Sequence, residues 1–198
     1  LRWFAHEASA ATNITAAAIV ASTLQLSAAD MFDKPPGTSK QALAPDNKLR
    51  EYWAGAMQTH FNKLFKMGCF VITDKSDVPP TAIRLASMWI YVVKPDKFSA
   101  RLVVLGNRAP PSDIPKASPT PRASVWKLLF ALGVKMGYPI RHMDLSAGFC
   151  HTKPQRQVFI PMPHGLGNEG KYLLVRKNVF GMPEAPKDLF VANWNFME

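Results

Sequence analysis

From residue 49 onward, large apolar side chains return at intervals of three or four: Leu49, Trp53, Met57, Phe61 and Leu64, until Gly68 interrupts them. A stripe of that period is one face of an α-helix, and such a face needs a surface to pack on. Asp46 stands where an N-cap is expected, and Gly68 where a helix stops. The aromatic members of the stripe fit packing against a sheet better than a ligand site. Beyond Gly68 the chain changes character. Residues 69–73 are β-prone, Val78-Pro79-Pro80 breaks the chain, and residues 87–94 are rich in Trp, Ile, Tyr and Val. Pro95-Asp96-Lys97 supplies a turn and residues 98–105 a second strand, which predicts a β-hairpin.

Residues 106–121 contain prolines at 110, 111, 115, 119 and 121, so they read as an extended surface loop. Helix resumes near Ala123, with Val125, Leu128, Leu129, Leu132 and Met136 as its expected buried face and Gly137-Tyr138-Pro139 as its end. Residues 140–145, 158–162 and 172–175 are expected strands, and a last helix is expected after Pro186, through Leu189, Phe190 and Trp194. No internal repeat is visible. Strands interleaved with helices indicate an α/β or α+β sheet domain.

Composition sets the outer limits. With 198 residues, 47% of them hydrophobic, the chain can bury a real core as one domain or two small ones. Residues 1–45 are rich in Ala, Ser and Thr and read as a poorly ordered leader and linker, with residues 46–198 as the folded domain. The uncharged stretch from Ala8 to Ala29 has only Ile14, Ile19, Val20, Leu24 and Leu26 as larger aliphatics, too weak for a spanning helix, so no membrane partner is expected. The formal charge is +10. Residues 1–50 hold five basic and four acidic side chains (+1), leaving 19 and ten (+9) for the rest. A basic folded part fits a polyanionic partner such as nucleic acid, and equally a solvated surface that keeps the chain soluble. Cys69 and Cys150 lie far apart with no metal-ligand spacing, which indicates neither a disulfide framework nor a zinc module and makes a reducing, intracellular setting the default, cytoplasm or nucleus. The chain does not start with Met and reads as a piece of something longer.

The stretch PIRHMDLSAGF, residues 139–149, bears the chemistry. Asp144 is the only acid between Asp113 and Glu169, and it falls where an apolar strand is expected to end. A carboxylate there suits Mg²⁺, which prefers hard oxygens and takes only one or two from protein when it meets a polyphosphate. The same Asp also suits a simple cap where a strand gives way to a turn.

The order of these pieces resembles the reverse transcriptase domain of copia-type retrotransposon Pol polyproteins. Four blocks match in sequence: the helix with Trp53, Ala56 and Leu64; the hairpin WIYVVKPDKFSARLVVLG; RHMDLSAGF; and VFGMPEAPKDLF. VFIPMPHGLG between the last two looks like the strand leading into the family's Pro and Gly turn. The resemblance implies an α+β fold, a partial fingers and palm with a β-hairpin and a mixed, mainly antiparallel sheet packed on helices. It implies an RNA-directed DNA polymerase, a nucleotidyltransferase with two Mg²⁺ ions, acting on an RNA or DNA primer-template and dNTP alongside other Pol segments. On this reading Asp144 is the first catalytic carboxylate and a metal ligand, and the Leu145 carbonyl adds a second hard donor. Phe149 lies under the incoming sugar, Gly181 lets the backbone approach the nascent base pair, and Lys94 and Arg101 reach the triphosphate. Outside the resemblance, Phe149 fits ordinary core, Gly181 a turn, and Lys94 and Arg101 a solvated face. Lys116, Arg122, Lys127, Lys153 and Arg156 are available for template or primer phosphates.

Three departures stand out. There is no Asp-Asp, the second carboxylate pair that such a polymerase needs, so these residues alone are expected to be inactive. Pro183 and Glu184 replace the family's Lys and Gln, which puts a negative charge where a positive one is usual, and Gly148 replaces an Ala. Two other readings remain. His142, Asp144 and His151 form a set that metal-dependent hydrolases use, while a Cys150-His151 dyad is disfavoured because sequence neighbours seldom converge. A nucleic-acid-binding remnant without catalysis is the non-enzymatic alternative.

Overall fold

A computed structural model gives the architecture; the structure describes residues 34–94, 97–141 and 144–197. In chain order the elements are α1 (Ser39–Ala42), α2 (Arg50–Lys66), β1 (Phe70–Thr73), β2 (Ile83–Arg84), β3 (Ser87–Lys94), β4 (Lys97–Val104), α3 (Ala123–Lys135), β5 (Val158–Pro161), β6 (Tyr172–Val175) and α4 (Ala185–Met197). Short 3-10 turns stand at Lys75–Asp77, Gly106–Arg108 and Gly148–His151. The fold is α+β, with a four-stranded mixed sheet and a two-stranded hairpin. The residues gather into two compact units: one holds those up to Asn62 with Met88–Leu102 and His164–Gly167, the other Lys63–Ser87, Val103–Pro163 and those from Asn168 onward.

The first unit is built on the stripe of α2. Trp53, Met57 and Phe61 are buried as expected, each contributing ~1.5–3 kcal/mol by leaving water. The Trp53 ring meets Tyr91 of β3 edge-on at 5.3 Å and Phe98 of β4 at 4.8 Å. Strand alternation turns Trp89 and Tyr91 inward and leaves Met88, Ile90 and Val92 exposed. The Tyr91 hydroxyl donates to the Met57 sulfur at 3.4 Å. Burial pushes its pKa up to about 12. The start of α2 differs from expectation, because the residue that organises it is Asn47. Its Oδ1 accepts the Leu49 N–H at 2.9 Å, and its Nδ2 donates to the Gln41 and Ala42 carbonyls, both at 3.0 Å. An amide offers donor and acceptor together, so Asn47 ties α1 to α2 where the exposed Asp46 carboxylate could only accept. Gly165, at φ +89°, is the tightest glycine of this unit: a Cβ there would lie 2.5 Å from Leu43 Cδ1 and 2.9 Å from Met57 Cε.

The second unit begins where α2 ends. Gly68 takes φ +72°, the Gly68 N–H donates to the Phe65 carbonyl at 2.9 Å and the Cys69 N–H to the Leu64 carbonyl at 3.0 Å, a Schellman cap with buried Leu64 and Cys69 beside it. Lys177 donates to the Met67 carbonyl at 2.7 Å, placing a cation at the negative end of the helix. The sheet order is β1-β6-β5-β2. β6 is antiparallel to both neighbours, with Val175 opposite Phe70 on one side and Val158 on the other. The two residues of β2 were not foreseen. They run parallel to β5 with Ile83 opposite Val158, and Leu85 extends the ladder by donating to the Phe159 carbonyl at 2.9 Å. A two-residue strand is too short to show a period.

Two expectations fail here. Residues 140–145 form no strand among the described residues, His142 and Met143 lying outside them, and α3 buries no side chain. Leu128, Leu129 and Met136 are 60%, 53% and 60% exposed. The reasons are linked: a strand is stable only beside a neighbour, the sheet here pairs four other strands, and an apolar helix face stays open without a sheet to cover it. α3 still ends as predicted, with Gly137 at φ +68°, the Tyr138 N–H donating to the Gly133 carbonyl and the Gly137 N–H to that of Val134. No described helix is long and apolar enough to cross a membrane. Of the turn expected at Pro95-Asp96-Lys97, Pro95 and Asp96 lie outside the described residues, as do residues 1–33 of the leader expected over 1–45, while its described part holds α1.

Candidate functional site

Asp144 sits on a turn that ends in the 3-10 segment Gly148–His151, and both Asp144 and Leu145 face solvent. The turn is reached through Ala147 in the left-handed region at φ 52°, which a residue with a Cβ adopts only at a cost. Several contacts hold it there. Lys63 donates to Ser146 Oγ at 3.2 Å, and His151 Nε2 bonds the Ser146 carbonyl at 3.3 Å. A carbonyl can only accept, so that nitrogen bears the proton. Phe149 is half-buried and meets Phe180 edge to face at 5.5 Å.

Behind Phe149 lies a polar network that sequence reasoning missed. Asn178, wholly buried, donates from Nδ2 to Thr152 Oγ1 at 2.9 Å and to Asp188 Oδ2 at 2.8 Å. Thr152 in turn donates to the Phe149 carbonyl at 2.9 Å, and Gln155 to Asp188 Oδ1 at 2.6 Å. The network fixes the floor of the turn from three elements at once, and no spacing rule connects residues 149, 152, 178 and 188 in the sequence.

Gly181 lies on the same side, directly after Phe180. Its φ is +89° and an added Cβ would stand 2.0 Å from the Val104 carbonyl oxygen. The space Gly181 leaves is therefore filled by the foot of β4, through Val104 N–H to Phe180 carbonyl at 2.8 Å. Gly148, the position where an Ala was expected, is explained in the same way. A Cβ there would come within 3.1 Å of Leu189 Cδ2, and its absence lets α4 pack on the turn.

Glu184 does not project a free negative charge. It is 4% exposed and forms an ion pair with Arg156, which also donates to the Pro110 carbonyl at 3.2 Å. That spends Arg156 internally. Lys116, Arg122, Lys127 and Lys153 remain exposed.

The structure thus brings Asp144, Leu145, Phe149 and Gly181 into one unit, while Lys94 and Arg101, both exposed, belong to the hairpin of the other. Among the described residues no group of three or more His, Cys, Asp or Glu side chains could hold a metal. What the turn does offer is one exposed residue with a carboxylate, Asp144, followed by the exposed Leu145, and oxygens are the donors that Mg²⁺ accepts when substrate phosphates and water supply the rest.

The α+β frame with a mixed sheet and a solvent-facing Asp on a pinned turn is consistent with one protein class, and the similarity to known proteins agrees with it. A model of the reverse transcriptase (RNA-dependent DNA polymerase) family matches residues 72–195, more than half of the chain, and the chain belongs to that family. It is similar to two Arabidopsis thaliana proteins, the retrovirus-related Pol polyproteins from transposons RE2 and RE1. The first is 25% identical over 167 residues, covering 79% of this chain and 11% of the relative; the second is 24% identical over 177 residues, covering 83% and 12%. The chain therefore spans about an eighth or less of the length of these relatives. No solved structure gives a significant match.

Proposed function

We propose that these residues serve RNA-directed DNA synthesis as part of a retrotransposon Pol polyprotein, residues 46–198 forming part of the polymerase fold and residues 1–45 a leader. The observation that supports it most is the turn of residues 144–151, anchored from behind by Ser146, Phe149 and Thr152 while Asp144 and Leu145 stay open to solvent. A carboxylate meant as a cap would be turned toward backbone N–H groups.

In this reading the Asp144 carboxylate and the Leu145 carbonyl would hold Mg²⁺, which supplies charge neutralisation for a polyphosphate and lowers the pKa of a hydroxyl bound to it. The protein's own part is positioning. Lys63 and His151 hold the Asp144 turn, Phe149 presents an aromatic surface backed by Phe180, and Gly181, exposed on the face that Val104 does not fill, would stand beside the nascent base pair. Lys94 and Arg101 serve triphosphate binding from the hairpin, and the exposed Lys116, Arg122, Lys127 and Lys153 serve primer-template phosphates. Other Pol segments are the partners that the bare face of α3 suits. A polypeptide of these residues alone has one candidate metal carboxylate and is inactive, and the Pol chain that includes them works inside the cell, in cytoplasm or nucleus.

The test uses a Pol chain that includes these residues and polymerises on primer-template with Mg²⁺. Asp144→Asn is expected to lower the rate by several orders of magnitude while leaving duplex binding intact; full rate in that variant refutes the assignment. Binding of the 198-residue chain to primer-template at two salt concentrations tests the nucleic-acid part, and salt-sensitive saturable binding without catalysis would favour the remnant reading. The hydrolase reading has less support, because the reverse transcriptase family accounts for residues 72–195 as a whole, and a His-x-Asp with a later His accounts for three.

A further inference from the structure

The polymerase reading leaves one pair of buried nucleophilic groups without a role. Cys69 and Cys150, both free thiols, are each 0% exposed. The Schellman cap of α2 fixes the first, through the Cys69 N–H to the Leu64 carbonyl. The 3-10 turn fixes the second, through the Cys150 N–H to the Ala147 carbonyl at 2.8 Å. The chain leaving β6 stitches the two together. Arg176 and Lys177 N–H groups donate to the Cys69 carbonyl at 2.8 and 3.4 Å, and the next residue, Asn178, donates to the Thr152 carbonyl at 2.9 Å. Three consecutive residues therefore span both cysteine segments, and the two side chains meet in a thiol–thiol hydrogen bond.

The contact is not symmetric. Cys69 is pushed up, first by its hydrogen bond to Cys150 and then by burial, and keeps its proton. Cys150 is pulled down, first by the Cys69 hydrogen bond, with the positive charges of Lys177 and Lys63 adding to it against the opposing effect of burial. The Lys177 charge favours the thiolate at both sulfurs, and two thiols in contact can share the parts of attacking and resolving cysteine.

We propose that Cys69 and Cys150 are a redox modification site, a dithiol that a hydroperoxide converts to an intramolecular disulfide, tying the turn that bears Asp144 and Phe149 to the head of β1. Cys150 thiolate attacks the peroxide, the O–O bond breaks, and Cys150 becomes a sulfenic acid as the alcohol or water leaves with a solvent proton. The Cys69 sulfur then attacks the Cys150 sulfur, the S–O bond breaks, and hydroxide departs with the Cys69 proton as water. Two thiols lose two electrons and two hydrogens together, and the hydroperoxide is reduced by two electrons. Because both sulfurs are enclosed, the rate follows transient opening of the Gly148–His151 turn, and a reducing compartment holds the pair as thiols until peroxide arrives.

Nothing in this chemistry requires the polymerase reading. The experiment treats the reduced 198-residue chain with hydrogen peroxide, blocks remaining thiols with iodoacetamide, and reads intact mass and a non-reducing peptide map. The expected result is loss of two hydrogens, a monomeric cross-link between the Cys69 and Cys150 peptides, a raised melting temperature, and reversal of all three by dithiothreitol. Cys69→Ser is expected to stop the reaction at an oxygenated Cys150, and Cys150→Ser to leave Cys69 unreacted in the folded protein. Oxygen added to Cys69 in preference to Cys150, cross-linking between chains only, or no native-state reaction while unfolded chain reacts would each overturn it.

Discussion

Gly106 and Gly181 meet main chain to main chain: the Gly106 N–H donates to the Gly181 carbonyl at 3.2 Å, and a Cβ added to Gly106 would stand 2.2 Å from that oxygen. The close approach seats the VFGMP segment against Val104 and Gly106, within one unit, and fixes Phe180 behind Phe149.

Gly181→Ala is accordingly expected to cost at least ~2–3 kcal/mol, since it combines a left-handed backbone with overlap on the Val104 carbonyl. Gly167→Ala, at φ +70° with nothing within 4 Å, isolates the backbone cost alone, about 1 kcal/mol. Urea unfolding of the two variants compares them. Equal losses would mean that the close approach at Gly181 does not matter.

Arg156 and Glu184 are buried partners with 17% and 6% of their side chains exposed. Removing one leaves the other charge without compensation, so Arg156→Ala is expected to destabilise by ~3–5 kcal/mol. Glu184→Gln keeps a hydrogen-bond acceptor and loses less, about 1–3 kcal/mol. A double-mutant cycle on chemical unfolding measures the coupling; additive losses would show that the pair does not act as one.

Ala147 holds φ 52° in the turn below Asp144. Ala147→Gly removes ~1–2 kcal/mol of left-handed strain and adds roughly 0.5–1 kcal/mol of unfolded-state entropy. The net is expected to fall between neutral and about 1.5 kcal/mol of stabilisation, an unusual outcome for a glycine substitution. A lowered melting temperature would contradict it.

Alkaline stability depends on Tyr91. Its folded pKa is raised to about 12 from the ordinary value of 10.0, so between those values the unfolded state binds fewer protons and stability falls as pH rises. The contribution is fully present below about pH 10 and is lost on the way to about pH 12, at most ~2–3 kcal/mol. Tyr91→Phe loses the weak bond to Met57 sulfur but should flatten that part of the profile, as unfolding free energy measured from about pH 8 to 12 would reveal.

The bare face of α3 makes an opposite kind of prediction. Leu128→Gln and Leu129→Gln are expected to change the stability of this chain by less than ~0.5 kcal/mol, because both residues already face water. A loss typical of core leucines, ~2–5 kcal/mol, would mean that the helix is covered in solution. Thermal melts of the single variants at low concentration distinguish the two.

Local pattern alone determined most elements of this protein. The 3.6-residue stripe of α2, the alternation of the hairpin strands, the Gly68 and Gly137 stops and the strand at Tyr172–Val175 each follow from interactions between near neighbours. The ordered motifs around Asp144 and Phe149 also made the family legible in the sequence itself. Tertiary structure decided the rest. It replaced Asp46 by Asn47 at the start of α2, paired Ile83–Arg84 with β5, left the described residues of the 140–145 stretch outside any strand, neutralised Glu184 with Arg156, and brought Cys69 against Cys150. Every one of these depends on groups distant in sequence or on which of two adjacent polar side chains finds a partner. Short-range periodicity holds no record of such encounters, because their energies arise only when folding has removed the water between them.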